Sequence, residues 1–69
     1  MDYPELAEEA MIVMLLRDAA MRALKRGRGV DVFHGYEVRA ERLTSDGTMR
    51  LTVKNRSGSV TGVCRFQGG

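Results

Sequence analysis

The sequence predicts an α+β domain in which one N-terminal amphipathic helix packs on a three-stranded antiparallel meander, in the order α-β-β-β. Two observations indicate this class. The apolar period changes from about 3.6 to about 2 residues after Gly27, and two turn signals divide the rest of the chain. All 69 residues form a single domain, with the helix over about 3–26, the meander over about 30–67 and a flexible Gly68-Gly69 end.

Helix start and stop signals agree with the apolar period of residues 3–26. Asp2 is a candidate N-cap with Glu5 three residues later, and Pro4 suits the first turn, where no backbone N–H is needed. Gly27 supplies a C-terminal stop. Acidic side chains near the start and basic side chains near the end complement the helix macrodipole. The sequence therefore predicts a single long helix.

The apolar residues of this helix cover more of its circumference than one sheet can bury. At about 100° per residue they form two adjacent stripes. The first stripe contains Leu6, Ala10, Val13, Ala20 and Leu24, and the second contains Ile12, Leu16, Ala19 and Ala23. Met14 and Met21 widen the first stripe, whereas Met11 and Leu15 lie on the otherwise charged side. The segment Met11–Leu16 is therefore apolar all round.

Contact on two sides is the explanation that we favour for this apolar segment. The alternative is a helix that packs on one side only and exposes a few methionines. A membrane span needs about 20 apolar residues, and Arg17 and Asp18 interrupt the run. The acidic N-terminus is unlike a signal peptide. We therefore expect no membrane partner but a homodimer formed through the helix, with an edge strand as the alternative contact. The predicted interface residues are Met11, Ile12, Leu15 and Ala19.

Alternating apolar and polar residues predict the strands. Apolar residues recur at Tyr36, Val38 and Ala40, and again at Met49, Leu51 and Val53. Between these runs, Asp46-Gly47 predicts a two-residue type I′ turn. Such a turn would place Ala40 opposite Val53 and Arg42 opposite Leu51, with the apolar sets on one face of the sheet.

A second turn signal, Asn55–Gly58, leads into the last strand. Its inner face would carry Val60, Gly62, Cys64 and Phe66. The residues Val30, Val32 and Phe33 form either an extra short strand or the beginning of the first one, and Gly35 suggests a bulge there. The other sheet face would be open and polar. Its predicted residues are Arg39, Glu41, Arg50, Thr52, Lys54, Thr61 and Arg65.

The stretch from residue 54 to residue 66 resembles the ending of a family of small, uncharacterised bacterial proteins with a K-N-x-x-G-x-x-x-G-F/V-x-x-F-like pattern. The matching positions are Lys54, Asn55, Gly58, Gly62 and Phe66. The chain departs from the pattern at Thr48, where the family has a cysteine, and at Arg50, where it has an acidic residue. The resemblance covers about a fifth of the chain. It implies the register of this hairpin and no chemistry.

No catalytic, metal-binding or cofactor-binding pattern is found in the sequence. Cys64 is the sole cysteine, which excludes an intrachain disulfide and favours a reduced, cytoplasmic setting. On the inner face of a strand it is expected to be a small buried hydrophobic residue. His34 is the only histidine, and its spacing does not bring it to Cys64. Metal, phosphate-loop and paired-carboxylate motifs are also missing from the sequence.

Charge is distributed unevenly along the chain. Residues 1–24 carry two basic and five acidic side chains, a net of −3, and residues 25–69 carry nine basic and four acidic side chains, a net of +5. The basic part could follow a phosphate backbone. The candidate nucleic-acid contacts are Lys25, Arg26, Arg28, Arg39, Arg50 and Lys54. Glu37 and Glu41 dilute this charge, and the aromatic residues are needed in the core, so a solvated mixed-charge face is favoured.

The terminal Gly68-Gly69 allows a third class of function. Ubiquitin-like modifiers and sulfur carriers end in a flexible Gly-Gly, but their folds begin with a hairpin before the helix, and this chain begins with the helix. Two glycines are also common at frayed ends. The sequence thus favours a small non-enzymatic protein-interaction module that forms a homodimer and binds an unknown protein partner. Nucleic-acid binding is the first alternative and a Gly-Gly-tailed carrier is the second.

Overall fold

The computed structural model describes the backbone of residues 4–66 and the side chains of residues 9–66, so the predicted Asp2 cap and the Gly68-Gly69 end lie outside the described residues. One helix packs on a single antiparallel sheet whose strands follow one another in sequence order. The elements are α1 (Pro4–Arg26), β1 (Arg28–Phe33), β2 (Tyr36–Arg42), β3 (Thr48–Asn55) and β4 (Gly58–Arg65). The α+β class and the long helix are confirmed, and the optional extra strand is β1.

The helix ends where the sequence predicts. The Gly27 N–H donates to the Ala23 carbonyl at 2.8 Å, and Gly27 has a φ of 89°, which glycine adopts without steric cost. A guanidinium N–H of Arg42 also donates to the Leu24 carbonyl at 2.6 Å. Because Gly27 alone separates the helix from β1, the chain reverses at once. The helix is therefore held over the β1 side of the sheet.

Small residues bring the helix and the sheet into close contact. On the helix, Ala19 and Ala23 are fully buried. On β1, a Cβ atom added to Gly29 would lie 2.3 Å from the Ala19 carbonyl oxygen and 2.8 Å from the Arg22 Cβ atom, so only glycine fits there. The core contains Leu15, Ala19, Ala20, Ala23, Val38, Ala40 and Met49. Packing at this point uses close approach of the backbones in place of large side chains.

The helix faces the sheet with its second predicted stripe, in which Ala19 and Ala23 are fully buried, but the covered side extends further towards the charged residues than the apolar pattern suggests. Leu15, predicted to lie on the charged side, is only 5% exposed and belongs to the core. Arg22, close to it around the helix, lies at the margin of the contact, where its guanidinium donates to the Val30 carbonyl at 3.0 Å and lies 3.8 Å from the Asp31 carboxylate. The helix side that carries Leu15 therefore packs on the sheet although the charged Arg22 is next to it.

A tight turn at His34-Gly35 joins β1 to β2. His34 has a φ of 51° and Gly35 a φ of 81°, the two positive values that a type I′ turn requires. Phe33 pairs with Tyr36 across this turn. Gly35 is thus a turn residue and not the predicted bulge.

The register between β2 and β3 differs by two residues from the prediction. Ala40 pairs with Leu51, and Arg42 pairs with Met49. The connection is longer than a two-residue turn because Asp46 does not have a positive φ, whereas Gly47 has a φ of 96°. The Leu43 N–H instead donates to the Thr48 carbonyl at 2.7 Å, which closes a four-residue loop. A shift of two leaves every side chain on its predicted face.

The predicted turn between β3 and β4 is confirmed. The Asn55 side-chain oxygen accepts a hydrogen bond of 2.9 Å from the Ser57 N–H, an Asx turn. Leu51 pairs with Gly62, and Val53 pairs with Val60. The inner face of the sheet therefore continues from β3 onto β4, as the alternation of the sequence predicts.

Candidate interaction surfaces

The helix covers only part of the inner sheet face. It packs on β1 and β2 and touches β3 marginally. The outermost strand, β4, is exposed at all eight of its positions. A helix is about 10 Å across and neighbouring strands lie about 4.8 Å apart, so one helix covers about two strands. In the described part of the chain, β4 and the part of β3 beyond the buried Met49 are therefore without a helix above them.

Apolar and small residues occupy the uncovered inner face of β3 and β4. We call this surface the open floor. It consists of Leu51, Val53, Val60, Gly62 and Cys64. Leu51 and Val53 are half-buried because they border the core. Val60 is 75% exposed, and Cys64 is exposed as well. The open floor thus carries apolar surface of the kind that normally lies in a core.

The helix presents further apolar side chains on the side away from its own sheet. We call this surface the outer helix face, and it consists of Val13, Met14 and Met21. Val13 is 63% exposed and Met14 is 58% exposed. Contiguous exposed apolar surface on a small protein usually marks an interaction site. The expectation of a helix with two apolar sides therefore has a structural counterpart, on residues other than those predicted.

All four predicted interface residues are buried or half-buried in the folded chain. Leu15 and Ala19 are buried in the core, and Ala19 has no exposed surface. Met11 and Ile12 are half-buried beside them. Leu15 and Ala19 are therefore unavailable to a partner, which corrects this part of the predicted interface. Met11 packs against the core, whereas Ile12 reaches the border of the open floor.

A shallow depression connects the helix with the open floor. Its volume is about 480 Å³, and it lies between Ile12 of the helix and Val53 and Val60 of the sheet. Tyr36 and the β3–β4 turn form its other walls. The helix and β4 therefore form an apolar corner that is open to solvent.

The outer sheet face carries charged residues that are already partly paired. The Arg39 Nε atom lies 2.6 Å from a carboxylate oxygen of Glu37, and an Arg50 guanidinium nitrogen lies 3.0 Å from a carboxylate oxygen of Glu41. Both arginines border a shallow depression of about 300 Å³ together with Arg28. These ion pairs reduce the positive charge available to a phosphate.

The six predicted nucleic-acid contacts fall into two groups. Lys25, Arg26 and Arg28 lie near the junction of the helix and β1, and all three are exposed. The second group lies along the outer sheet face and consists of Arg39, Arg50 and Lys54. The described structure thus brings the candidates onto two neighbouring surfaces.

The loop between β2 and β3 contains a carboxylate with a lowered pKa, that of Asp46. Asp46 accepts hydrogen bonds from the Thr44 hydroxyl, from the Thr48 hydroxyl at 2.9 Å and from the Thr48 N–H at 3.1 Å. These donors favour the ionised form and lower the pKa of Asp46 from 3.8 to about 2. The carboxylate is committed to holding its loop, a structural role.

The two residues with the most reactive side chains remain chemically isolated in the described structure. Cys64 is exposed and not buried as expected, because β4 extends beyond the helix. His34 is in the β1–β2 turn, where its ring meets the Phe33 ring edge-on at 4.2 Å. Among the residues whose placement the structure describes, no group of three His, Cys, Asp or Glu side chains could hold a metal ion. No described helix is long and apolar enough to cross a membrane.

Comparison with known proteins adds no relative to this description. No protein-family profile, curated protein or solved structure matches the chain.

Proposed function

We propose that this chain is a non-enzymatic protein-interaction module that associates with a second copy of itself through apolar surface that its single helix leaves uncovered. The observation that carries the proposal is the open floor. Val60 and Cys64 face solvent from a sheet face on which Val38 and Met49 are completely buried. The inner sheet face therefore forms the core where the helix covers it and is exposed to solvent beyond the helix.

Exposed apolar side chains support a missing partner. Val13 is 63% exposed and Val60 is 75% exposed in a domain of only 7.7 kDa. Contiguous exposed apolar surface on a small protein usually marks an interaction site. A second copy would bury this surface and would add stability to a domain whose own core is thin.

Nucleic-acid binding has weaker support. Glutamates already engage Arg39 and Arg50 on the outer sheet face. The described aromatic residues lie on the inner face or against the core, so they offer no stacking platform beside the basic residues. Apolar contact with a protein surface is favoured for this reason.

Light scattering over micromolar to millimolar concentration tests the proposal. We expect the mass of a dimer to be reached within this range. A Met21→Lys variant should shift the mass towards the monomer, because it places a charge on the outer helix face without entering the core. Ser45→Lys adds the same charge on an exposed loop and is the matched control. A monomer mass at about 1 mM, where an association of only about 4 kcal/mol would be visible, contradicts the proposal.

A further inference from the structure

We infer that the helix of a second copy occupies the vacant position above the open floor, so that each helix lies between two sheets. In this arrangement a helix packs on β1 and β2 of its own chain with one side and on β3 and β4 of the other chain with its outer helix face. The inference rests on the proposed self-association and specifies which surfaces meet.

The vacant position has the width of one helix. Four strands span about twice the width that one helix covers, and α1 is placed over the β1 side by its single-residue connection at Gly27. The open floor, on β4 and the part of β3 beyond the buried Met49, thus lies where a second helix about 10 Å from the first would sit. Since the depression beside Ile12 already joins the helix to Val60, a second helix placed there would contact both the sheet and the first helix.

The chain itself carries a helix suited to this position. Met21 is two residues from the buried Ala23, a rotation of about 200°, so it points away from the chain's own sheet. Val13 and Met14 extend the same apolar surface towards the N-terminus. Arg17 lies between them, and its long aliphatic stem lets the guanidinium reach solvent at the rim. One chain thus contains both an open floor and a helix with a second apolar side.

Symmetry makes the contact reciprocal and closed. If the helix of one copy packs on the open floor of the other, a two-fold rotation packs the second helix on the first floor in the same way. Both apolar surfaces of both chains are then used. The assembly stops at two copies, and its two sheets lie on either side of a layer of two helices.

The fold also indicates which residues should meet. Ile12 lies beside Val60, and at the other end Leu24 lies 3.8 Å from a Cβ atom placed on Gly47, whose carbonyl accepts from the Phe66 N–H. The twelve residue steps from Ile12 to Leu24 and the six from Val60 to Phe66 each span about 18–20 Å, so the helix and β4 keep the same register along their lengths. The two-fold axis of the dimer runs parallel to the helices. Rotation about it swaps the two sheets and leaves every residue at the same height along the helix direction. Met21 of one copy should therefore lie over Cys64 of the other.

Thiol labelling of Cys64 tests the arrangement without altering the chain. We expect the labelling rate to fall about tenfold when the concentration is raised to about a hundred times the dissociation constant, because only the monomer then exposes the thiol. The matched control is Val63→Cys in a Cys64→Ser background. Its thiol lies one residue away on the outer sheet face and should be labelled at the same rate at every concentration.

Cross-linking supplies the second measurement. A short bismaleimide should join Met21→Cys to Cys64 of the other copy and give a covalent dimer. Arg26→Cys, exposed on the same helix but about 140° around it from Met21, should not be joined.

The outcomes separate this arrangement from the proposed function. A dimer in which Cys64 and the Val63→Cys thiol react alike overturns the arrangement and leaves self-association standing. Protection of both thiols indicates pairing through the β4 edge and also overturns it. A chain that remains monomeric by light scattering overturns the arrangement and the proposed function together.

Discussion

The two halves of the sheet have similar apolar alternation and very different surroundings. Under the helix, Val38, Ala40 and Met49 are buried. Beyond the helix, Val60 and Cys64 continue the same face in solvent. The strand pattern is thus the same in both halves, and only the cover differs. Alternation therefore predicts which face a side chain joins but not whether that face is covered.

The covered half owes its packing to small residues. Gly29 and Ala40 on the sheet meet Ala19 and Ala23 on the helix, so the two layers approach closely and little apolar volume is required. The larger side chains of the helix, Met14 and Met21 among them, are left outside. The apolar residues are thus divided between a compact core and an unoccupied surface.

The largest expected difference between the halves is in stability. Met49→Ala should lower the free energy of unfolding by about 2–5 kcal/mol, because it leaves a cavity in the core. Val63→Ala, on the exposed outer face of β4, should change it by less than about 0.5 kcal/mol. Urea unfolding at low micromolar concentration measures both. Equal losses would mean that the outer face of β4 is as tightly packed as the core at Met49, which contradicts the exposure of β4.

A smaller effect should come from the loop that joins the two halves. Because folding lowers the pKa of Asp46 from 3.8 to about 2, its carboxylate stabilises the folded chain above pH 4 and loses this contribution as the pH falls towards 2. An NMR titration should find the midpoint near 2. Asp46→Asn cannot titrate and should remove this part of the acid dependence. A midpoint at the ordinary value of 3.8 would show that the threonine hydrogen bonds do not persist in solution.

The smallest effect is expected on the outer sheet face. We expect no binding of random duplex or single-stranded nucleic acid tighter than about 10⁻⁴ M at physiological salt. Replacing Glu37 and Glu41 with glutamine should free the paired arginines and strengthen the binding. Electrophoretic titration at two salt concentrations measures this. Micromolar, salt-sensitive binding by the unaltered chain, weakened by charge reversal at Arg50 and Lys54, would assign the function to this face instead.

Much of the fold could be predicted from local signals, and the register error has an identifiable cause. Asp46-Gly47 has the sequence of a type I′ turn, but its two flanking threonines donate to Asp46 and favour a longer loop. The tight turn is at His34-Gly35 instead. The alternation was interpreted correctly because a shift of two residues leaves the faces unchanged.

The surfaces were harder to predict than the elements. Two apolar sides of one helix have equal periodicity, so the pattern alone could not distinguish the side that Leu15 shares from the side that carries Met21. Gly29 is the residue that could have identified the sheet-facing side, because its missing side chain allows the close backbone approach that a helix side made of small residues needs. The exposure of Cys64 was missed for a second reason. The short connection to β1 draws the helix away from β4, and this depends on β1 being a full strand of the sheet.

One pair of substitutions tests the central claim that the open floor binds a second copy. Val60 and Val63 lie three residues apart on β4 and face opposite sides of the sheet, and both are largely exposed. The dissociation constant of the dimer is measured by sedimentation for Val60→Lys and for Val63→Lys. We expect Val60→Lys to weaken association about a hundredfold, the effect of about 2.7 kcal/mol, and Val63→Lys to leave it within about threefold. Equal effects of the two substitutions, or weakening by Val63→Lys alone, would contradict the account.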